Sequence, residues 1–139
     1  MKVSEAMHRG ANWIAPDALL PDIAERMRQD DVGALPVGEN DRLIGIVTDR
    51  DIVLRGFDRR SDPLQLTARD VMTKPIIYCH ANEELEDAVT VMESRCIRRM
   101  PVIDADHRMV GMLSLGDVAA KATPSILAEA LRAVTAHHT

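Results

Sequence analysis

Gly45-Ile46-Val47-Thr48-Asp49-Arg50-Asp51-Ile52 is the stretch that decides the fold of this chain, because it combines the end of a buried strand with the start of a helix. Thr48 is followed three residues later by Asp51, and a hydroxyl side chain at this position can accept from a free backbone N–H of the first turn. The free N–H groups and the dipole of such a turn also attract anions. The stretch therefore has two uses to weigh, a plain helix cap or a phosphate-binding site.

The chain contains a second copy of this stretch, Gly111-Met112-Leu113-Ser114-Leu115-Gly116-Asp117-Val118. Upstream of it, four pairs of residues recur at a constant shift of 65: Met7 and Met72, Asp22 and Asp87, Met27 and Met92, and Pro36 and Pro101. One inserted residue near Ala105 makes the shift 66 for the motif itself. Such self-similarity predicts two pseudosymmetric repeats at 2–60 and 67–122, with a linker at 61–66 and a C-terminal amphipathic segment and tail at 123–139.

Hydrophobic periodicity predicts the same order of elements in both repeats, strand–helix–strand–strand–helix after a short helical lead-in. The lead-ins are 3–7 and 67–72, and the predicted strands are 13–15, 32–37, 43–47, 76–79, 99–103 and 109–113. The predicted helices are capped by Asp17, Thr48, Asn82 and Ser114. Each repeat is thus expected to be a small mixed three-stranded sheet with helices on one face, an α/β (α+β) fold whose two copies pack together.

Three sets of apolar positions define the helix faces that we expect to be buried. They are Leu20, Ile23, Ala24 and Met27; Leu85, Ala88, Val89 and Met92; and Ile126, Leu127, Ala130, Leu131 and Val134. The last set is predicted to pack on the core, with docking on a second subunit as the alternative.

Composition excludes several classes of function. Only Trp13, Phe57 and Tyr78 are aromatic and the net charge is −5, so a nucleic-acid partner is not expected. No apolar run approaches the roughly 18 to 20 residues that cross a bilayer, and the N-terminus lacks an apolar signal core, so we predict a cytoplasmic protein without a membrane partner.

No catalytic constellation or metal site is predicted. The sequence contains no nucleophile–base pair or phosphate-binding glycine loop, so we do not expect an enzyme. The histidines at 80, 107, 137 and 138 are scattered without ligand spacing, so no metal site is expected. Cys79 and Cys96 are interpreted as small buried hydrophobes, with thiol redox sensing as the alternative.

The two repeats resemble CBS domains, and their tandem arrangement resembles a CBS pair, or Bateman module. The resemblance lies in 32–37 followed by 45–52, and in 97–102 followed by 111–118, and it covers roughly residues 2–122. It implies a stand-alone regulatory module that binds adenosine-containing ligands such as AMP, ADP or ATP in the cleft between the repeats and transmits occupancy through a homodimer. No cofactor is required. The alternative is a structural or partner-binding CBS-pair stress protein that binds no nucleotide.

The resemblance also implies the residues of two ligand sites, each joining the motif of one repeat to the opening segment of the other. The first site comprises Thr48, Asp51, Thr73, Lys74, Pro75 and Ile76, and the second comprises Ser114, Asp117, Arg9, Gly10, Ala11 and Asn12. A carboxylate suits the ribose diol, and the hydroxyl suits the phosphate. Ala34 and Pro36 would line the adenine pocket. Arg98 and Arg99 are equally consistent with phosphate binding and with surface ion pairs.

The second motif has Leu115-Gly116 where the first has Asp49-Arg50. Because glycine in a first turn weakens a helix start, we expect the first site to be the better formed of the two.

Overall fold

The computed structural model describes residues 1–10, 12–74, 76–121 and 123–136. The chain divides into two compact units. The split unit consists of Met1–Ala11 and Ile77–Thr139, and the continuous unit consists of Asn12–Ile76. Each unit therefore contains the opening segment of one repeat and the main body of the other. The repeat boundaries at 2–60 and 67–122 remain predictions.

The elements follow the predicted order along the chain, except that the first strand lies at His8–Arg9 and not at 13–15. They are α1 (Val3–Ala6), β1 (His8–Arg9), α2 (Leu20–Asp30), β2 (Ala34–Glu39), β3 (Arg42–Thr48), α3 (Asp49–Gly56), α4 (Ala68–Val71), β4 (Cys79–His80), α5 (Leu85–Arg95), β5 (Arg99–Ile103), β6 (Met109–Ser114), α6 (Leu115–Lys121) and α7 (Pro124–Ala136). A 3-10 turn at Pro63–Gln65 lies in the linker.

The split unit contains a sheet in the order β1-β6-β5-β4, in which β4 runs parallel to β5 and the other pairs are antiparallel. Strand β1 belongs to the first repeat and pairs His8 with Met112 of the second repeat. The predicted mixed α/β architecture is confirmed. This sheet has four strands where three were expected, because the opening segment of the other repeat adds an edge strand.

The continuous unit follows the same plan with shorter pairing. Strands β2 and β3 form an antiparallel ladder that pairs Ala34 with Thr48. Ile14 forms a single parallel bridge to Val37, and Ile46 forms a single antiparallel bridge to Thr73. The strand predicted at 13–15 is therefore only a bridge in the structure, and Thr73 takes the sheet position that His8 occupies in the split unit.

Two predicted helix caps are wrong. Helix α2 has Leu19 at its N-cap instead of Asp17, and α5 has Glu84 instead of Asn82, and neither makes a side-chain cap. The reason is a backbone partner from a distant part of the sequence. The N–H of Leu20 donates to the carbonyl of Leu66 at 3.2 Å, and the N–H of Leu85 donates to that of Met1 at 2.9 Å. An orphan donor of the first turn needs a single acceptor, and a backbone carbonyl from outside the helix's own repeat supplies it.

Each unit has its own hydrophobic core, which the predicted helix faces enter. Leu85, Ala88, Val89 and Met92 are fully buried in the split unit. Leu20, Ile23 and Met27 are buried in the continuous unit, while Ala24 is half-buried. The 3.6-residue pattern therefore predicted which side of α2 and α5 faces inward.

Helix α7 packs on α5 and α6, as predicted for the C-terminal segment. Ile126 is buried in the core of the split unit, but Leu131 is 59% exposed, so the expectation that Leu131 faces inward is wrong. Five residues turn a helix by about 500°, which places Leu131 roughly 140° around the axis from Ile126. The side chains of Ala130 and Val134 lie outside the described part of the chain.

The two cysteines occupy different environments. Cys79 is buried, and this burial raises the pKa of its thiol to about 12, so the group stays protonated. Cys96 is exposed and ends α5 with a positive φ of 54°, so the prediction that it is buried is wrong.

Among the described residues, no helix is long and apolar enough to cross a membrane. The terminal His137 and His138 lie outside these residues.

Candidate functional site

The first motif forms a complete capping box in the continuous unit. The N–H of Asp51 donates to Oγ1 of Thr48 at 3.0 Å, and the N–H of Thr48 donates to Oδ2 of Asp51 at 3.0 Å. The extended backbone of Thr48 turns the chain directly from β3 into α3. The N–H of Asp49 donates to the carbonyl of Gly33 at 2.9 Å, which holds the helix start against the beginning of β2.

The carboxylate of Asp51 has further partners within the same unit. The hydroxyl of Thr73, from the opening segment of the second repeat, lies 3.1 Å from both oxygens of Asp51. The N–H of Thr73 donates to the carbonyl of Ile46 at 2.8 Å, which fixes the position of that hydroxyl. Nη1 of Arg55 lies 3.9 Å from Oδ1 of Asp51 and donates at 3.0 Å to the carbonyls of Val71 and Met72.

The second motif repeats this arrangement in the split unit. The N–H of Asp117 donates to Oγ of Ser114 at 3.1 Å, and the N–H of Ser114 donates to Oδ2 of Asp117 at 2.9 Å. Nδ1 of His8 lies 2.6 Å from Oδ1 of Asp117, at the place that Thr73 occupies beside Asp51. The departure at Leu115-Gly116 therefore leaves the box intact, since both reciprocal bonds form.

Glycine is required where each opening segment approaches its motif. A Cβ on Gly45 would overlap the sulfur of Met72, and a Cβ on Gly111 would overlap the backbone carbonyl of His8. Gly10 has a φ of 128°, which side-chain-bearing residues rarely adopt, and its N–H donates to the carbonyl of Val110 at 3.0 Å. These positions let a distant segment lie directly against the motif.

A third Thr-x-x-Asp sequence, Thr67 to Asp70, shows what a plain cap looks like in this molecule. The N–H and the hydroxyl of Thr67 donate to Oδ2 of Asp70 at 2.9 and 3.0 Å. Asp70 is exposed, whereas Asp51 is 8% exposed and Asp117 is 6% exposed. Capping alone does not require burial of the carboxylate, and the two repeated motifs differ from this plain cap in that their carboxylates are buried.

The remaining predicted residues surround the two motifs in different ways. Ala34 lies opposite Thr48, and Pro36 lies opposite Ile46. Arg99 lies opposite Ser114, and the carbonyl of Arg98 accepts from the N–H of Leu115 at 3.0 Å.

The opening segments supply the other predicted positions. Arg9 is exposed on β1 opposite Gly111, Lys74 is exposed, and Ile76 is half-buried. Asn12 belongs to the continuous unit, whereas Ser114 and Asp117 belong to the split unit. Ala11 and Pro75 lie outside the described residues.

Sequence reasoning missed His8 and Arg55. His8 is found by applying the 65-residue shift to Thr73, which was predicted. The His8 side chain contacts Asp117 and is 81% exposed. Arg55 lies four residues after Asp51, the spacing that brings two side chains together on a helix surface.

Two other features of the described residues lie apart from the predicted sites. A pocket of about 390 Å³ in the continuous unit is bordered by Trp13 and α2 and contains none of the predicted ligand residues. Tyr78, His80 and His107 meet edge to face, with ring centroids 5.8 to 6.2 Å apart, so two histidines that seemed scattered in the sequence are neighbours. No three His, Cys, Asp or Glu side chains of the described part form a group that could hold a metal ion.

Comparison with known proteins identifies the relatives of this arrangement. The sequence model of the CBS domain matches residues 3–56 and 68–122. Hypoxic response protein 1 of Mycobacterium tuberculosis is 39% identical over 116 residues, which cover 83% of this chain and 80% of that protein. The CBS domain-containing protein YhcV of Bacillus subtilis is 36% identical over 117 residues, 84% of this chain and 82% of that protein.

Solved structures agree with the sequence comparison. The crystal structure of hypoxic response protein I with two coordinated zinc ions matches with a TM-score of 0.80 at 36% identity, covering 88% of this chain and 100% of that one. The structure of CBSX2 in complex with AMP matches with a TM-score of 0.76 at 28% identity, covering 86% and 93% of the two chains. The resemblance predicted from the motifs is confirmed, and the chain belongs to the CBS-domain family as a pair of CBS repeats.

Proposed function

We propose that this chain is a regulatory module that binds an adenosine-containing ligand of the AMP, ADP and ATP class at each Thr/Ser-x-x-Asp motif. The observation that carries the proposal is the twofold construction of one arrangement. In each unit a buried carboxylate and a hydroxyl meet at a strand end, and the opening segment of the other repeat places a polar side chain against the carboxylate. The AMP in the related CBSX2 structure supports adenine nucleotides as the ligand class.

The chemistry of the motif assigns a role to each group. Each carboxylate oxygen has two lone pairs. Among the described residues, the Thr73 hydroxyl is the one donor within hydrogen-bonding distance of Oδ1 of Asp51, so this oxygen can also accept from a ribose diol. The negative charge of Asp51 repels phosphate, which is therefore assigned to the Thr48 hydroxyl and the start of α3. Ala34 and Pro36 offer small apolar surface to the adenine ring.

Both proposed clefts lie where the two repeats meet inside one unit. The site of the continuous unit combines the first motif with Thr73, Lys74 and Ile76, and that of the split unit combines the second motif with Arg9 and Gly10. Asn12 is not assigned to the second site, because it belongs to the other unit.

We further propose that occupancy is transmitted through a homodimer and that the chain performs no catalysis. Arg55 supports this route, because it contacts Asp51 and the Met72 carbonyl from α3 itself. The same helix and the residue after it expose large apolar side chains: Val53, Leu54 and Phe57 are each 60% exposed or more. A partner subunit that covers these residues would respond to movement of α3.

One observation favours a second function, a structural or partner-binding stress protein that binds no nucleotide. Both oxygens of Asp51 and of Asp117 already contact polar groups of the protein, so neither carboxylate is without a partner when no ligand is bound. This function predicts a dimer whose thermal stability is indifferent to nucleotides, because only a ligand that prefers the folded state raises stability.

Calorimetric titration with AMP, ADP and ATP separates the two functions. Asp51→Ala and Asp117→Ala should each remove one site. Asp70→Ala is the matched control, because it removes the carboxylate of an exposed capping box of the same type. All three variants should lose about 1 kcal/mol of stability through the lost cap.

Only the first two variants should lose binding. Absence of heat with all three nucleotides at millimolar concentration, in wild-type protein that is folded, would overturn the proposed function. Equal binding by wild type and both site variants would place the ligand elsewhere.

A further inference from the structure

The sheet register allows the two sites to be compared residue by residue. Residues directly opposite each other in antiparallel strands point to the same face, as do residues two apart on one strand. One face of the split unit therefore presents His8, Met112, Pro101, Ser114 and Arg99. The corresponding face of the continuous unit presents Thr73, Ile46, Pro36, Thr48 and Ala34.

Two of these five positions differ in their ability to carry a positive charge. His8 replaces Thr73 beside the carboxylate, and Arg99 replaces Ala34 beside the hydroxyl. Arg99 is half-buried and lies directly across from Ser114, so the two Cβ atoms are about 5 Å apart. The guanidinium of Arg99 makes no ion pair or hydrogen bond with the described residues, and it can reach a phosphate bound at Ser114.

The charge difference extends to the residues beside the face. Arg98 of the split unit corresponds to Gly33, and Leu115 corresponds to Asp49. Gly33 and Asp49 are close neighbours, since a Cβ on Gly33 would lie 2.9 Å from Oδ2 of Asp49. In the opposite sense, Gly116 corresponds to Arg50.

Two further pairs of corresponding positions have the same charge in both units. Arg9 corresponds to Lys74, and Lys121 corresponds to Arg55. Over these corresponding positions the split unit carries one more positive charge and one fewer negative charge, so its net charge is more positive by two, and by three when His8 is protonated.

We propose that the split unit selects adenosine ligands with two or three phosphates, whereas the continuous unit takes the monophosphate. This inference rests on the proposed function and adds a ligand preference to each of its sites. Each additional phosphate brings negative charge that Arg99 can meet with paired hydrogen bonds, and the methyl group of Ala34 cannot. When it is protonated, His8 adds to the preference by offsetting the charge of Asp117, which otherwise repels the phosphate chain.

Titration calorimetry with AMP and ATP on the full chain tests the assignment, in buffer with a chelator so that magnesium does not neutralise the phosphates. Asp51→Ala leaves the split-unit site and should bind ATP about tenfold more tightly than AMP, because charge-assisted hydrogen bonds are the stronger kind. Asp117→Ala leaves the continuous-unit site and should bind AMP at least as tightly as ATP.

A double variant gives the split unit the side chains of the continuous unit. His8→Thr with Arg99→Ala, in the Asp51→Ala background, should remove the tenfold preference for ATP by lowering the ATP affinity more than the AMP affinity. Arg95→Ala is the control for lost charge, because Arg95 is exposed at the end of α5, outside both faces, and should leave the preference unchanged. Wild-type titration supplies an independent reading, since ATP should fill two sites of unequal affinity.

The outcomes separate this inference from the proposed function. The same ATP-to-AMP ratio in Asp51→Ala and Asp117→Ala, or a ratio that survives the double variant, overturns the charge selection and leaves nucleotide binding standing. If the single-site variants do not fold, two wild-type sites with equal affinity for ATP would likewise overturn the charge selection. Binding of neither nucleotide to the wild type overturns both proposals.

Discussion

The split unit and the continuous unit share a backbone plan but differ in what surrounds it. Both place a buried carboxylate at a strand-to-helix junction, with a segment of the other repeat against it. In the split unit α7 covers α5 and α6. Within the described part of the continuous unit α7 has no counterpart, and Val53, Leu54 and Phe57 stay exposed. The two units therefore share the geometry of the motif. They differ in the charges around it and in whether an additional helix packs on the unit.

The difference also shows which contacts tolerate change. Close approach of the opening segment requires glycine at both Gly45 and Gly111, but the atoms met are a flexible thioether in one unit and a backbone carbonyl in the other. The residue beside the carboxylate is a threonine in one unit and a histidine in the other. Side chains that contact the motif can vary, provided that the backbone of the opening segment keeps its distance.

The largest effect is expected at Gly111. Alanine there would collide with the carbonyl of His8, which is held in the β1–β6 ladder, so Gly111→Ala should lower the free energy of unfolding by about 3 kcal/mol. Gly45→Ala should cost only about 1 kcal/mol, because the Met72 side chain can move. Urea denaturation measures both values. Equal losses at the two glycines would contradict the rigid contact in the split unit.

An intermediate effect is expected from α7, which only the split unit has. Ile126→Ala removes a side chain that is 4% exposed and should lower the free energy of unfolding by about 2 kcal/mol. Leu131→Ala on the same helix is the control and should change it by less than about 0.5 kcal/mol, because Leu131 is exposed. Thermal denaturation of both variants gives the comparison, and similar losses would mean that α7 does not dock through Ile126.

Much of the fold could be predicted from the sequence, because helix caps and hydrophobic periodicity are local signals. The cap predicted at Thr48 is the N-cap of α3, and the helical periodicity identified the buried face of α5. The exchange of opening segments between units was not accessible in the same way. Strand β1 has two residues, too few for any periodic pattern. The caps predicted at Asp17 and Asn82 are wrong because backbone carbonyls from outside each repeat accept from the helix starts instead.

The candidate site divides in the same way. The pairing of Asp51 with Thr73 was expected from the resemblance to the family, and the structure brings the two side chains together. His8 belongs to no motif, and an exposed histidine near a terminus carries no signal of its own. Its position becomes evident when the 65-residue shift between the repeats is applied to Thr73, which was predicted, because the shift leads to His8.

The smallest effect concerns the junction between the opening segment and the helix that follows. Glu84 accepts from Nζ of Lys2 at 2.7 Å, and this hydrogen bond lowers the pKa of the Glu84 carboxyl below its ordinary range. The corresponding bridge in the continuous unit joins Leu19 to Thr67 and has no such charge pair. Because the folded pKa is lowered, the contribution of Glu84 is present above the unfolded pKa and is lost as pH falls through the folded value.

Glu84→Leu, which gives the split unit the residue of the continuous unit, should therefore flatten the decline of thermal stability between neutral pH and about pH 3. The shift is small, since both partners are exposed at the surface. Glu86→Leu removes an exposed carboxylate from the first turn of the same helix and serves as the control. Identical pH profiles for wild type and Glu84→Leu would show that the pair does not stabilise the junction.

The most direct test of the central claim is a crystal structure of the protein grown with millimolar AMP. We predict electron density for the nucleotide at the motif of at least the continuous unit, with the ribose hydroxyls within hydrogen-bonding distance of Asp51 and the phosphate beside Thr48. Nucleotide bound away from Asp51 and Asp117, or two motifs that keep only the capping bonds described above, would contradict the account.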